Sequence, residues 1–386
     1  MPVTAPELTA RIEEGFFERN ELFGNFFATQ AACLAEVCRD MSDRFIQGGR
    51  LLAFGKGAYA TDAQHVSVEF VHPVIVGKRA LPALDVSAFF VPWLRTMLQP
   101  EDMVMGFAPP GGDAEIEAAL RDARTRGALV IPLPGAVSID PFIHQELIEI
   151  LYHTLWETVH VFFEHRELGH DVGDAGFLYP FLGQEKQSTT GVLADVAGSI
   201  EQKVAEDARL RQQVLDEETA RIANAAVAIG DRVRRGGKLI LFGNGGSATD
   251  ANDWAIDCIS PPPRYKPVPA VSLAHEPANI TALANDVGTE VIFLRQLIAQ
   301  ARPADIAIGI STSGGSKNVI LAFEEARKRG LLTVALLGYD GGEILRRGLA
   351  DLPLIVRSDY IPRIQEVQAS TYHTIRDLLE TTCYGD

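Results

Sequence analysis

Positive charge is scarce in this sequence. Lysine and arginine number 35 against 51 aspartates and glutamates, a formal net charge of −16. That balance argues against a nucleic-acid backbone as the main partner, which would need a basic face. A small phosphorylated ligand, needing only local donors, stays open. Cysteine is scarce as well: Cys33, Cys38, Cys258 and Cys383 are scattered, without a CxxC pair or zinc-ribbon spacing. Reduced thiols in a cytosolic protein are expected rather than a disulfide framework. No apolar run approaches membrane-spanning length, and the acidic N-terminal stretch lacks the uninterrupted apolar core of a signal peptide. The expectation is a cytoplasmic protein that neither enters a membrane nor binds nucleic acid. What is plentiful is apolar: 47% of the 386 residues are hydrophobic, enough for two domains of ordinary size.

One stretch organises the rest. Lys238–Asp257 reads KLILFGNGGSATDANDWAID: a short apolar run, a glycine turn over Gly243–Ser247, and a helix-like segment from about Ala248. Strand, glycine turn and helix start together make an anion site, because backbone N–H groups approach a ligand without a Cβ in the way. No Gly-Lys-Ser/Thr follows, so it is not a Walker loop, and the dinucleotide spacing is missing too. No nucleotide cofactor is expected.

The stretch has a twin. GGRLLAFGKGAYATDAQHVSVEF from Gly48 runs in register with GGKLILFGNGGSATDANDWAIDC from Gly236. Glu101–Gly127 matches Ala304–Gly330 in the same way, and QELIEILYHT from Gln145 matches QEVQASTYHT from Gln365. Three ordered matches are an internal duplication. Each half alternates short apolar strands with helices, which predicts an open parallel sheet covered on both faces. Apolar spacing predicts two helices over about Ala5 to Arg44 and a long one over about Leu193 to Val233. The Gly-, Asp- and Pro-rich segment between the halves reads as a linker. The expected division is 1–165, a linker at 166–187, and 188–386.

The halves have kept different parts. The second carries another turn, IGISTSGGSKN, where Ser311, Thr312, Ser313 and Ser316 offer hydroxyls beside two glycines at a helix start. In the first half that turn is FAPPGGDAE, with prolines lacking N–H donors and acids that repel phosphate. Its middle section is also shorter, lacking the segment with Asn285 and Asp286. The first half is therefore not expected to bind a sugar phosphate by itself. It retains instead His65 and Glu69, one helical turn apart on one face, where the second half has Asp253 and Asp257. Gln145 and His153 match Gln365 and His373. These are plausible ligands for zinc or a similar divalent ion. Eight residues of helix rise about 12 Å, too far for Gln365 and His373 to grip one ion easily. The spacing suggests that Gln or His of one half completes a site whose helix residues come from the other.

GNGGSATDA, TALANDVGTEVIFLRQ, IGISTSGGSKNV and RIQEV with its later histidine resemble the sugar isomerase (SIS) domain family, and within it the phosphoheptose isomerases. The first half is similar as a diverged copy, through DAQHVSVE and the Gln/His pair. The resemblance implies two SIS domains, each a three-layer α/β/α, flavodoxin-like unit. It implies substrate contacts at Asn244, Gly245, Gly246, Ser247, Asn285, Asp286, Ser311, Thr312, Ser313, Ser316 and Gln365. For acid/base chemistry it points to His373 with Asp257, or Glu69 with His153. For one divalent ion, zinc foremost, it points to His65, Glu69, Gln145 and His153, or Asp253, Asp257, Gln365 and His373. Asp257 is one methylene shorter than the family's glutamate, and Asp253 replaces a histidine. The implied activity is aldose–ketose isomerisation of a phosphosugar, most like sedoheptulose 7-phosphate. The rival is a sugar-phosphate sensor or scaffold without catalysis. Two copies would give a homodimer of four SIS domains.

Overall fold

The computed structural model describes residues 5–73, 78–135, 140–167 and 189–385. The chain starts on one helix, α1 (Ala5–Ile46), where the apolar spacing suggests two. Nothing inside it breaks a helix: its only proline, Pro6, sits in the first turn, where it is tolerated. Then follow β1 (Leu51–Gly55), α2 (Tyr59–Val71), β2 (Ala83–Asp85), α3 (Phe90–Met97), β3 (Met103–Phe107), α4 (Ala114–Thr125), β4 (Leu129–Val130) and α5 (Pro141–Glu167). The expected linker lies, beyond Glu167, outside the described residues.

The second half opens on α6 (Thr189–Arg234) and continues through β5 (Leu239–Gly243), α7 (Gly246–Ile259), β6 (Ala270–Ser272), α8 (Pro277–Asp286), α9 (Ile292–Gln300) and β7 (Ile306–Ser311). It closes with α10 (Lys317–Lys328), β8 (Leu332–Gly338), α11 (Gly342–Arg346), β9 (Leu352–Val356) and α12 (Ile361–Tyr384). No described helix is long and apolar enough to cross a membrane.

Both sheets are parallel throughout. The second has the five-stranded flavodoxin-like order β6-β5-β7-β8-β9, and the first, β2-β1-β3-β4, has the same order without the fifth strand. The central strands are buried on both faces, which is why they read as unbroken apolar runs. The fold class is thus two parallel α/β units, as the duplication predicts. β9 was not among the expected strands.

Two compact units divide the chain: Asn20–Ala208, and Met1–Arg19 together with Arg209–Asp386. Both long helices are therefore split. In α1, Phe23, Phe27 and Leu34 join the core of the N-terminal unit, while Leu8, Ile12 and Phe16 join that of the C-terminal unit. In α6, Val196, Ile200 and Val204 belong to the first core and Ile222, Ala226 and Ile229 to the second.

Candidate active site

In the C-terminal sheet the chain turns one way after β5 and the other way after β7, so the crevice at the carboxyl ends of these strands is the switch point where such folds bind ligands. Both anion turns lie there. After β5, a Cβ on Gly243 would collide with the Ser247 carbonyl, and Gly245 has φ +57°. Only glycine suits either position, and α7 starts directly behind them. After β7, Gly314 N–H donates to Ser311 Oγ at 3.2 Å and Gly315 N–H to Ser313 Oγ at 3.2 Å. Ser316 precedes the first turn of α10, its Oγ 3.4 Å from that of Ser311. Asn244 and Asn318 exchange two amide hydrogen bonds of 2.9 Å, tying the first turn to α10. Asn285 and Asp286 end α8, exposed, with the amide donating to the carboxylate at 2.8 Å.

The corresponding crevice of the N-terminal unit holds its own anion. Asp113 accepts from the N–H groups of Glu115 and Ile116 at the start of α4, and Lys56 of the glycine turn reaches its carboxylate at 3.1 Å. Those α4 N–H groups, with Lys56, hold the carboxyl below its ordinary range. A phosphate would meet a charge like its own.

Behind the C-terminal turns, α12 packs its buried face on α7. His373 Nε2 is 3.3 Å from Asp253 Oδ2 and 3.3 Å from Asp257 Oδ2, all three residues being buried. Tyr372, stacked on Trp254, donates its hydroxyl to Asp253 at 2.8 Å. Burial, and then the charge of Asp253, push the Asp257 carboxyl up to about 7, against the lowering influence of His373. A carboxyl balanced near neutrality beside an imidazole is equipped to take and return protons. Gln365 lies buried in the first turns of α12, outside this trio.

The N-terminal unit builds a related but different cluster. His65 Nε2 faces His153 Nε2 at 3.3 Å, and Glu69 Oε1 is 3.8 Å from His65 Nε2. Burial, followed by His153, holds His65 well below its ordinary pKa, and burial with Glu157 raises Glu69 to about 8. The Gln145 amide nitrogen donates to Asp62 at 3.1 Å and to the Ala58 carbonyl at 3.4 Å.

Among the described residues, two groups present three ligand atoms within 4.8 Å of one another: His65, Glu149 and His153, and Asp253, Asp257 and His373. The donor chemistry of either fits a divalent ion. The spacing argument leads one to expect histidines that serve the other half; each instead meets helix residues of its own half. Among histidines and carboxylates, Glu69, expected as a ligand, stands outside the tight group, and Glu149 stands inside it. Sequence reading missed Glu149, Tyr372 and Asn318. Glu149 was within reach of it, lying one helical turn from both Gln145 and His153.

The SIS domain family model matches residues 204–338. A phosphoheptose isomerase of Trichlorobacter lovleyi is 43% identical over 177 residues, 46% of this chain and 89% of that protein. One from Sulfurimonas denitrificans is 46% identical over 153 residues, 39% of this chain and 76% of that protein. Among solved structures, the C-terminal domain of glucosamine-fructose-6-phosphate aminotransferase from Francisella tularensis matches with a TM-score of 0.61 at 8% identity, covering 97% of each chain. At that identity the likeness speaks for the fold alone.

Proposed function

The chain belongs to the SIS-domain family, alongside the phosphoheptose isomerases, and from that premise we propose that it is an aldose–ketose isomerase of a phosphosugar, converting sedoheptulose 7-phosphate to D-glycero-D-manno-heptose 7-phosphate. The observation that carries the reading is the Asp257–His373 pair, with its carboxyl near 7. Asp257 lies on α7, the helix that starts at the glycine turn, and His373 on α12.

The reaction moves a proton between neighbouring carbons through an enediolate. One base takes the carbon-bound proton and returns it to the adjacent carbon, while a second group passes a proton between the two oxygens. In this reading Asp257 serves the carbons and His373 the oxygens. The phosphate is held by backbone N–H groups of the two turns and by the hydroxyls of Ser247, Ser311, Ser313 and Ser316. The donors are neutral, so they bind the anion without a lysine. Glu69 and His153 are the corresponding groups of the first half. With Asp113 occupying the anion position there, turnover is assigned to the second half. His65, Glu149 and His153, or Asp253, Asp257 and His373, would hold a divalent ion, whose chemistry when bound is to polarise a carbonyl oxygen.

Purified protein incubated with sedoheptulose 7-phosphate in deuterated water tests the proposal. Product with solvent deuterium on the carbon that bears the new hydroxyl, beside the new carbonyl, is expected. Tight binding without exchange, with or without added zinc, would instead support a sugar-phosphate sensor. A homodimer of four SIS domains is expected on a sizing column.

A further inference from the structure

We infer that Asn318 is a positioning residue for phosphate: with Asn244 it forms a strut that holds the two anion turns at a fixed separation. The side chain of Asn244 then acts through Asn318 rather than on the ligand. The inference rests on the reading that both turns hold the phosphate, but it needs no turnover.

Three observations carry it. The first is the problem a strut solves. The turns follow different strands, β5 and β7, and each bends at a glycine with positive φ, Gly245 at +57° and Gly314 at +59°. Glycine lets backbone donors approach an anion, but it brings no side chain to fix one turn against the other. Donors from two loops bind an anion well only where their spacing is set beforehand.

The second is the geometry of the pair. Asn244 Nδ2 donates to Asn318 Oδ1 at 2.9 Å, and Asn318 Nδ2 donates back to Asn244 Oδ1 at 2.9 Å. Asn318 Oδ1 also accepts from the Val319 N–H at 2.9 Å. A backbone N–H can only donate, so it fixes which way the Asn318 amide faces, and the pairing then fixes Asn244. One end of the strut is anchored in the first turn of α10, and the other rises from the glycine turn after β5.

The third comes from the other half. In the register of the duplication, Asn244 falls on Lys56 and Asn318 on Glu115. Lys56 Nζ reaches Glu115 Oε2 at 2.5 Å. The same two positions are therefore joined in both halves, by paired amides in one and by opposite charges in the other. Two unlike chemistries at one pair of positions point to the connection itself as the requirement. Amides make it without setting a carboxylate beside the anion, as Glu115 does in the first half.

Inorganic phosphate titrated calorimetrically into the full-length protein tests the strut. N318A and N244A should each bind about tenfold more weakly than wild type, the scale of one or two net hydrogen bonds. The double variant N244A/N318A should bind no worse than either single one, since losing one end already breaks the strut. N318E, with an unpaired carboxylate at the crevice, should bind weakest. N244K/N318E, which carries the first half's pair, should recover most of that loss, while N244K alone should bind no more tightly than wild type. Urea unfolding checks that each variant is folded. Four results would overturn the inference: N318A that binds like wild type, single losses that add to about a hundredfold in the double variant, no recovery in N244K/N318E, or N244K tighter than wild type. Wild type that binds no phosphate would overturn it together with the assignment of the turns, whereas a lack of deuterium exchange would sink the isomerase reading alone.

Discussion

Replacing Asp257 with asparagine should make the protein more stable and less active, both to an extent set by pH. Burial and the Asp253 charge hold this carboxyl at about 7, against an ordinary value of 3.8. The fold therefore favours its protonated form. No penalty exists below the unfolded value of 3.8, and stability is lost as the pH rises from there through about 7. Each pH unit within that window is worth about 1.4 kcal/mol. The shifted carboxyl thus costs about 2 kcal/mol at pH 5, where the fold keeps it protonated, and about 4 kcal/mol at pH 8, where it is ionised in its buried site. D257N carries no such charge. In urea, its midpoint should exceed that of wild type by about 1 M or more at pH 8 and by about half as much at pH 5. Turnover by wild type should rise with pH through about 7, and D257N should lose about a hundredfold to ten-thousandfold, the usual contribution of a positioned base. A stability difference that ignores pH, or a D257N less stable than wild type at pH 8, would refute the reasoning.

Other substitutions probe other parts of the argument. Phe16→Ala should destabilise the C-terminal unit by about 3–5 kcal/mol, because its ring is wholly buried in that core, whereas Phe17→Ala, 70% exposed, should change the unfolding midpoint little. Gly243→Ala should abolish binding of inorganic phosphate in a competition assay, since its methyl group collides with backbone at the turn; unchanged phosphate affinity would remove this turn from the anion site. Tyr372→Phe keeps the stack on Trp254 but takes a donor from buried Asp253. Thermal and urea unfolding should register a loss of about 1–3 kcal/mol.

Much of this molecule was legible before any coordinates, and the reason is the duplication. Two copies of strand, glycine turn and helix fix the sheet type, since a parallel connection requires a helical crossover. The phosphate turns were legible because their chemistry demands particular residues at particular positions: glycine where a Cβ collides, hydroxyls where a helix starts. α1 was misjudged as two helices because its apolar face serves two cores, and a change of partner resembles a break in the element. β9 escaped notice because Leu352–Val356 is an edge strand with no functional turn behind it and no matched copy in the first half. Glu149 escaped for a different reason. Residue type and spacing offered both Gln145 and Glu149, and only the rotation of α5 against α2 shows that the Glu149 carboxylate meets the histidines.

The division of α1 and α6 also sets a timetable for the growing chain. Leu8, Ile12 and Phe16 are translated long before the strands and the α12 residues whose core they complete. Domains generally fold in order of synthesis, yet here an early segment must wait for the late unit. The N-terminal unit waits too, until Val196, Ile200 and Val204 have emerged. Cutting the gene at its midpoint would therefore not release two independent proteins: each product would lack a helix that its own interior was built around.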